Sequence, residues 1–295
     1  MKKNNQIRRW MNRTINCFLG LSLIGLLYVF AQVFLIASFR IPSDSMAPGL
    51  IKGDIVWVLK PIIGPRLFNI LASMKGEQVE IYRVPGIKSM KRNDVLVFNY
   101  PYSEWDRWEK IEMHILKYYI KRCIALPGDT LTIQDGIYQI NNSCILVGNI
   151  ESQKRIITFD IDRIPKEQFY TLPYDGILHW NIRDFGPMYI PQKGDILSMN
   201  RTNYLLYKRL IEWEQKDSLL YKDDKVYLGD CPIKDYRFKN NYYFMGGDNC
   251  LGSVDSRFWG LVPEKFIVGK AWIIWKSVNQ DTGKMRWDRF LKNIK

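Results

Sequence analysis

Histidine is scarce in this chain: His114 and His179 are the only two among 295 residues. A histidine-rich metal site is thereby excluded, and a Ser-His-Asp triad would have to use one of these two. The five cysteines, Cys17, Cys123, Cys144, Cys231 and Cys250, contain no Cys-x-x-Cys pair, so zinc-binding spacing is missing as well. Cys17 lies in an apolar run. The other four leave two readings open, disulfides of an exported domain or free buried thiols. Charge of either sign is absent from Thr14 to Phe39, and the residues ahead of that stretch, among them Lys2, Lys3, Arg8, Arg9 and Arg13, include nothing acidic. Disorder is excluded by what is plentiful: aromatics make up 14% of the chain, ten of them Trp. The net charge of +13 suits nucleic acid or anionic lipid equally well on charge alone.

The uncharged stretch settles part of that question. Its 26 residues, rising about 1.5 Å each in a helix, cross a hydrocarbon core of roughly 30 Å with room to tilt. A cleaved signal peptide would have a shorter apolar region followed by small residues of Ala-x-Ala type, which do not occur here. The expectation is a basic cytoplasmic tail over 1–14 and an uncleaved transmembrane helix over 15–38. Basic residues before the span keep the N-terminus cytoplasmic, so everything from Arg40 onward faces the periplasm or the outside. The partner implied is a lipid bilayer, and nucleic acid is set aside.

Directly after the span comes Ile41-Pro42-Ser43-Asp44-Ser45-Met46-Ala47-Pro48-Gly49-Leu50. Two serines stand one residue apart between two prolines, which restrict the backbone and predict extended chain. A serine on a rigid segment is a candidate nucleophile if a base is brought to it. Short strands follow. Gly53-Asp54, Asn93-Asp94 and Gly194-Asp195 each form a turn leading into a β-branched or apolar run. Ser103–Tyr119 reads as helical, with Trp105 and Trp108 as packed residues and a membrane interface as their alternative role. Tyr118–Leu126 reads as a strand closed by Pro127-Gly128-Asp129. Its alternation puts Tyr119, Lys121, Cys123 and Ala125 on one face. A lysine there is either an edge-strand device against aggregation or a functional amine.

From about 130 to 241 the pattern changes to polar turns and a charged segment, Arg209 to Lys225, that reads as helical. This predicts a second domain inserted between core parts 39–129 and 242–280. The chain returns with strand Tyr242–Met245 and a loop rich in glycine and small polar residues, Gly246–Gly260, in which Asp255 and Arg257 can pair. Lys270–Lys276 reads as a strand, and residues 281–295 as a basic peripheral tail.

Three of these segments together resemble the type I signal peptidase family, membrane-bound enzymes that cleave signal peptides from exported proteins. They are Pro42–Pro48 after a span, Tyr119-Ile120-Lys121-Arg122 leading to Leu126-Pro127-Gly128-Asp129, and Gly247-Asp248-Asn249 leading to Ser253–Gly260. Lys91–Phe98 looks like the family's remaining strand motif. The resemblance covers 15–129 and 242–275 and says little of the stretch between. It implies a mainly β catalytic core of coiled antiparallel sheets, no cofactor or metal, and preprotein signal peptides as substrates, cut after small residues. Residue by residue it makes Ser45 the nucleophile and Lys121 the general base. It makes Ser43 a hydroxyl donor to the oxyanion beside the Ser45 N–H, Ser253 the residue orienting the lysine, and Asp255 with Arg257 the support of that loop. Gly49, Asn93 and Cys250-Leu251-Gly252 depart from the usual pattern without removing a proposed catalytic group.

The chemistry is coherent on its own terms. A lysine of ordinary pKa, about 10.4, is protonated and useless as a base, whereas burial lowers it toward the roughly 7–8 that catalysis needs. A carboxylate beside Lys121 would do the reverse, so Asp255 is expected to bond Arg257 and not Lys121. Two other classes compete: a self-cleaving Ser/Lys peptidase of repressor type, disfavoured by the anchor and the lack of a helix-turn-helix pattern, and a catalytically silent membrane-tethered binding homologue.

Overall fold

The computed structural model describes residues 2–295 apart from 76, 78, 105–106, 144 and 161–162, and the side chains of 2–9 and 70 also lie outside the description. Trp105, Cys144 and the side chains of Lys2, Lys3, Arg8 and Arg9 are therefore outside the described residues. Helix α1 runs Lys2–Phe30 and continues as a π-turn, Ala31–Leu35. The stretch long and apolar enough to cross a membrane is Trp10–Leu35, none of it buried by protein. The expected span of 15–38 thus ends too late. Ile36–Arg40 is strand β1, paired antiparallel with β2, Asp54–Leu59, so its backbone bonds to the sheet and not along a helix. Lys60 caps the helix end, its Nζ donating to Gln32 O at 2.7 Å, where a cation meets the negative end of the helix dipole.

A small excursion, β3 (Arg66–Leu67), α2 (Ile70–Met74) and β4 (Tyr82–Arg83), precedes β5 (Val95–Asn99) and β6 (Tyr118–Ala125). Asn93 takes a left-handed φ of 70° at the turn into β5, a conformation Asn tolerates better than most residues. Residues 103–117 form no helix among those described. Tyr100 N donates to Lys117 O and Glu112 N to Pro101 O, so the chain closes as an extension of the β5–β6 hairpin. Trp108 packs, donating to the Tyr100 hydroxyl at 2.8 Å.

The segment from 130 holds β7 (Thr130–Gln134), β8 (Ile137–Ile140), α3 (Ile150–Thr158), α4 (Lys166–Phe169), β9 (Phe185–Tyr189), β10 (Ile196–Ser198), α5 (Arg201–Gln215), β11 (Leu219–Lys222), β12 (Lys225–Leu228), β13 (Cys231–Ile233) and β14 (Asp235–Arg237). The helix expected over 209–225 lies earlier. The Asn200 side chain caps it, accepting from Asn203 N, and Lys216 ends it in the left-handed region. Asp223 and Asp224, both at positive φ, then form the tight turn between β11 and β12.

The chain closes with β15 (Tyr242–Gly246), α5's short successor α6 (Ser256–Trp259), β16 (Val262–Pro263), β17 (Ile267–Ser277) and β18 (Lys292–Asn293). The main sheet is antiparallel in the order β1-β2-β17-β5-β6-β15-β16, with β18 also on β17. Register shifts in β17 bend it, and the sheet coils until Phe39 of β1 lies 4.9 Å from Tyr118 of β6, ring to ring, although three strands separate them in the order. Alternation splits its side chains. Val95 and Val97 join Ile41, Met46, Val56 and Ile274 inside the curl. Leu96, Phe98, Cys123 and Ala125 face the other way, in one apolar cluster with Leu131, Ile156, Leu206 and Tyr207 of the 130–241 segment. The C-terminal stretch is not peripheral. Arg289 is buried and reaches Asp54 Oδ2 at 2.6 Å and Gly49 O at 2.8 Å. Cys17, Cys123, Cys231 and Cys250 are free thiols.

Candidate active site

Ser45 lies in a turn and not in extended chain. Ala47 N bonds Asp44 O and Leu50 N bonds Met46 O, both at 2.9 Å, so the two prolines frame a compact reversal. The turn is anchored from below. Asp54, fully buried, accepts from Ile51 N (2.9 Å), Ser277 Oγ (2.7 Å) and Arg289. Asn249 holds its other side, with its N–H on Ser45 O at 3.1 Å and its amide on Asp44 O at 3.3 Å.

This anchored turn meets β6 at one point: Lys121 Nζ lies 2.5 Å from Ser45 Oγ, hydrogen-bonded to it. Lys121 is 3% exposed, which rules out a solvated edge-strand lysine. Burial pulls its pKa from 10.5 down to about 8; the charges of Asp255 and Asp248 work against that shift and Arg257 works with it. Ser43 Oγ, exposed, donates to Ser45 Oγ at 3.4 Å. Of the other basic side chains on this side of β6, Lys117 Nζ donates to Ser103 O at 2.8 Å, and the buried Nδ1 of His114 has no hydrogen-bond partner among the described residues.

The loop after β15 supplies the remaining wall. Asp255 and Arg257 are both wholly buried and pair at 2.8 Å, Nε to Oδ1. Arg257 also donates to Cys250 O at 2.7 Å. Burial would raise the Asp255 pKa, but Arg257's charge and hydrogen bonds hold it below the ordinary carboxylate value. No hydrogen bond joins Asp255 to Lys121 among the described residues. Ser253 is buried, and its hydroxyl has no hydrogen-bond partner among the described residues. It is close to the Ser45 backbone: a Cβ placed on Gly247 would lie 2.1 Å from Ser253 Oγ and 2.6 Å from Ser45 O, so only glycine fits there.

Two charged residues outside the predicted set belong to this site. Arg122, next to the lysine, grips Asp248 in a two-pronged pair, 2.6 Å on each arm. Gly49 leaves room for that carboxylate, since a side chain there would meet Asp248 Oδ2 at 2.7 Å. Both residues stand in the motifs already noted, Lys121-Arg122 and Gly247-Asp248-Asn249; opposite charges beside two site segments were the available signal. Asp54 and Arg289 carried none. The Cys250-Leu251-Gly252 departure is tied to α3, with Cys250 N donating to Ser152 Oγ at 2.8 Å.

Comparison with known proteins agrees with this geometry. The family model described as signal peptidase, peptidase S26, matches residues 13–276. Signal peptidase I of Buchnera aphidicola subsp. Baizongia pistaciae is 25% identical over 96% of this chain and 83% of its own length. That of Aquifex aeolicus is 27% identical over 87% and 82%, and that of Pseudomonas aeruginosa 28% over 83% and 66%. A signal peptidase I crystal structure from Enterococcus faecalis aligns with 63% of this chain and 98% of its own at 20% identity, with a TM-score of 0.31, too slight a likeness to carry weight. With nearly the whole chain matched by the family model, the protein belongs to the signal peptidase (S26) family and is a membrane-anchored serine endopeptidase that removes signal peptides.

Proposed function

We propose that cleavage proceeds by a Ser45–Lys121 dyad through an acyl-enzyme. The observation that carries this reading is the 2.5 Å contact between Lys121 Nζ and Ser45 Oγ, made by a buried amine whose pKa is lowered to about 8. Near neutral pH a usable fraction of such an amine is unprotonated. It accepts the Ser45 proton as Oγ attacks the carbonyl, then returns it to the departing amine, and water completes hydrolysis by the same route. The oxyanion is met by the Ser45 N–H and the Ser43 hydroxyl. Ser253, buried with an unused hydroxyl beside the Ser45 backbone, takes over the lysine when Ser45 Oγ is acylated. Asp255 and Arg257 hold the loop and consume each other's charge.

The substrate binds as an added strand. β6 pairs with β5 along Tyr118–Arg122 but with β15 only from Arg122 on, and β1 pairs with β2 alone. Two unpaired edges thus flank the site, a fitting slot for an extended peptide. Small residues fit beside it, as in an Ala-x-Ala sequence, because Met46, Val97 and Ile120 fill the interior of the curl. The N-terminus is cytoplasmic and the catalytic part extracytoplasmic on the inner membrane, with residues 130–241 as an inserted unit. The test is cleavage of a synthetic preprotein by detergent-solubilised protein from about pH 6 to about pH 10. The expected result is a cut after Ala-x-Ala that rises through pH ~8 and is lost in Ser45→Ala and Lys121→Ala. Activity surviving in Lys121→Ala would mean another base, and a folded wild type that cuts nothing would favour a silent binding homologue.

A further inference from the structure

Beside the dyad the structure holds a cavity of about 870 Å³, between residues 163–174 and the 250–254 loop. That is ample for a large side chain with its neighbour. Its walls are aromatic and apolar: Trp108 stacks on Tyr174 at 6.1 Å, Tyr119 on Tyr100 at 4.5 Å, and Ile164 and Val254 face the same space. Charges of both signs, Arg163, Lys166 and Glu167, stand among its lining, and Arg163 lies 3.3 Å from Asp160.

The cavity's position says which part of a substrate reaches it. Tyr119 shares the β6 face of Lys121, two residues away, and its ring centre lies 5.8 Å from Lys121 Nζ. Extended chain advances about 3.3 Å per residue, so a peptide cut at Ser45 meets the cavity within about two residues. The lysine that takes the Ser45 proton must hand it to the departing amine, so the amine's side of the bond lies on the lysine's flank. Buried Ser253, with its unpartnered hydroxyl, lines the cavity on that flank. The opposite face of β6, with Ile120, turns into the curl.

We propose that this cavity is a subsite for a bulky apolar residue at the first or second position of the mature protein, downstream of the cut. The assignment rests on the Ser45–Lys121 reading above. A substrate's mature start is then read by residues 163–174 and the 250–254 loop, separately from its signal segment.

The test is a peptide series with one fixed signal segment and Ala, Phe or Asp at the first two mature positions. Wild type is expected to cleave Phe peptides about tenfold better in kcat/KM than Ala peptides, the scale of discrimination an apolar pocket achieves. Val254→Trp, at a half-exposed position, fills the space and should bring that ratio to about one, with Ala peptides cut within about twofold of wild type. Ile164→Arg should turn the preference toward Asp. Equal cleavage of all peptides by wild type overturns the subsite alone, as does a Val254→Trp protein that keeps the tenfold Phe-over-Ala ratio of wild type. Absence of any cleavage by wild type removes the dyad reading and the subsite with it.

Discussion

Replacing Lys121 by methionine should make this protein more stable at neutral pH while abolishing its activity. Methionine keeps the side-chain length and removes the amine. The folded-state pKa of Lys121, about 8, lies below the ordinary 10.5. Between those values the unfolded chain holds the extra proton, so stability rises with pH across that window. Below about pH 8 both states are protonated and the full penalty is present; above about 10.5 both are neutral and it vanishes. A shift of roughly 2.5 units at 1.36 kcal/mol each puts the penalty at about 3 kcal/mol. The lost hydrogen bond to Ser45 returns about 1 kcal/mol of that, because Ser45 is partly exposed and can bond water. The expected net gain is about 2 kcal/mol at pH 7, turning into a loss of about 1 kcal/mol above pH ~11. Denaturant unfolding of both proteins in detergent, followed by tryptophan fluorescence at the two pH values, measures it. A Lys121→Met protein less stable than wild type at pH 7, or a difference flat with pH, would refute the desolvated amine. In the wild type the neutral fraction rises from about one-tenth at pH 7 to about nine-tenths at pH 9, so kcat/KM should rise roughly tenfold over that interval.

Three further perturbations test the surrounding frame. Ser43→Ala removes one proposed oxyanion donor and should lower kcat about 10²–10³-fold with KM little changed, read from steady-state kinetics. Gly247→Ala forces a methyl against Ser253 Oγ and Ser45 O; a displacement of that size at the nucleophile should cost about 10²-fold in kcat, while the thermal midpoint falls only modestly. Arg257→Met leaves the Asp255 carboxylate buried without its partner and should destabilise the protein by about 3–5 kcal/mol in denaturant unfolding. A neutral outcome there would mean that the pair is dispensable to the loop.

Local patterns made much of the site legible. The alternation put Lys121 on one face with Tyr119, Cys123 and Ala125 but left a solvated edge-strand lysine open, and only the structure buries it. Turn chemistry at Gly53-Asp54, Asn93-Asp94 and Gly194-Asp195 located three strand starts, because each turn needs a residue tolerant of positive φ and all three have it. Patterns that depend on distant partners stayed hidden. Ser103–Tyr119 has the charge and aromatic content of a surface helix, yet Glu112, His114 and Lys117 in its later half bond Pro101 and Tyr100 across a hairpin. The basic C-terminal stretch reads as solvated because the group that neutralises Arg289 is Asp54, at the far end of the chain.

The arrangement of charge around Lys121 explains why the site needs that distant scaffolding. A buried neutral amine tolerates no free carboxylate nearby, yet Asp248 and Asp255 both stand close enough to raise its pKa. Each carboxylate is met by its own arginine, Asp248 by Arg122 and Asp255 by Arg257, in paired contacts of 2.6 to 2.9 Å. Arg257 opposes the effect of Asp255 on the lysine, and desolvation is the largest influence on it. Asp54 and Arg289 repeat the device beneath the Ser45 turn, holding the proposed nucleophile with a third buried pair. Carboxylates thus tie the loops together while their charge is spent locally, and the strength of that frame does not come at the expense of the lysine's basicity.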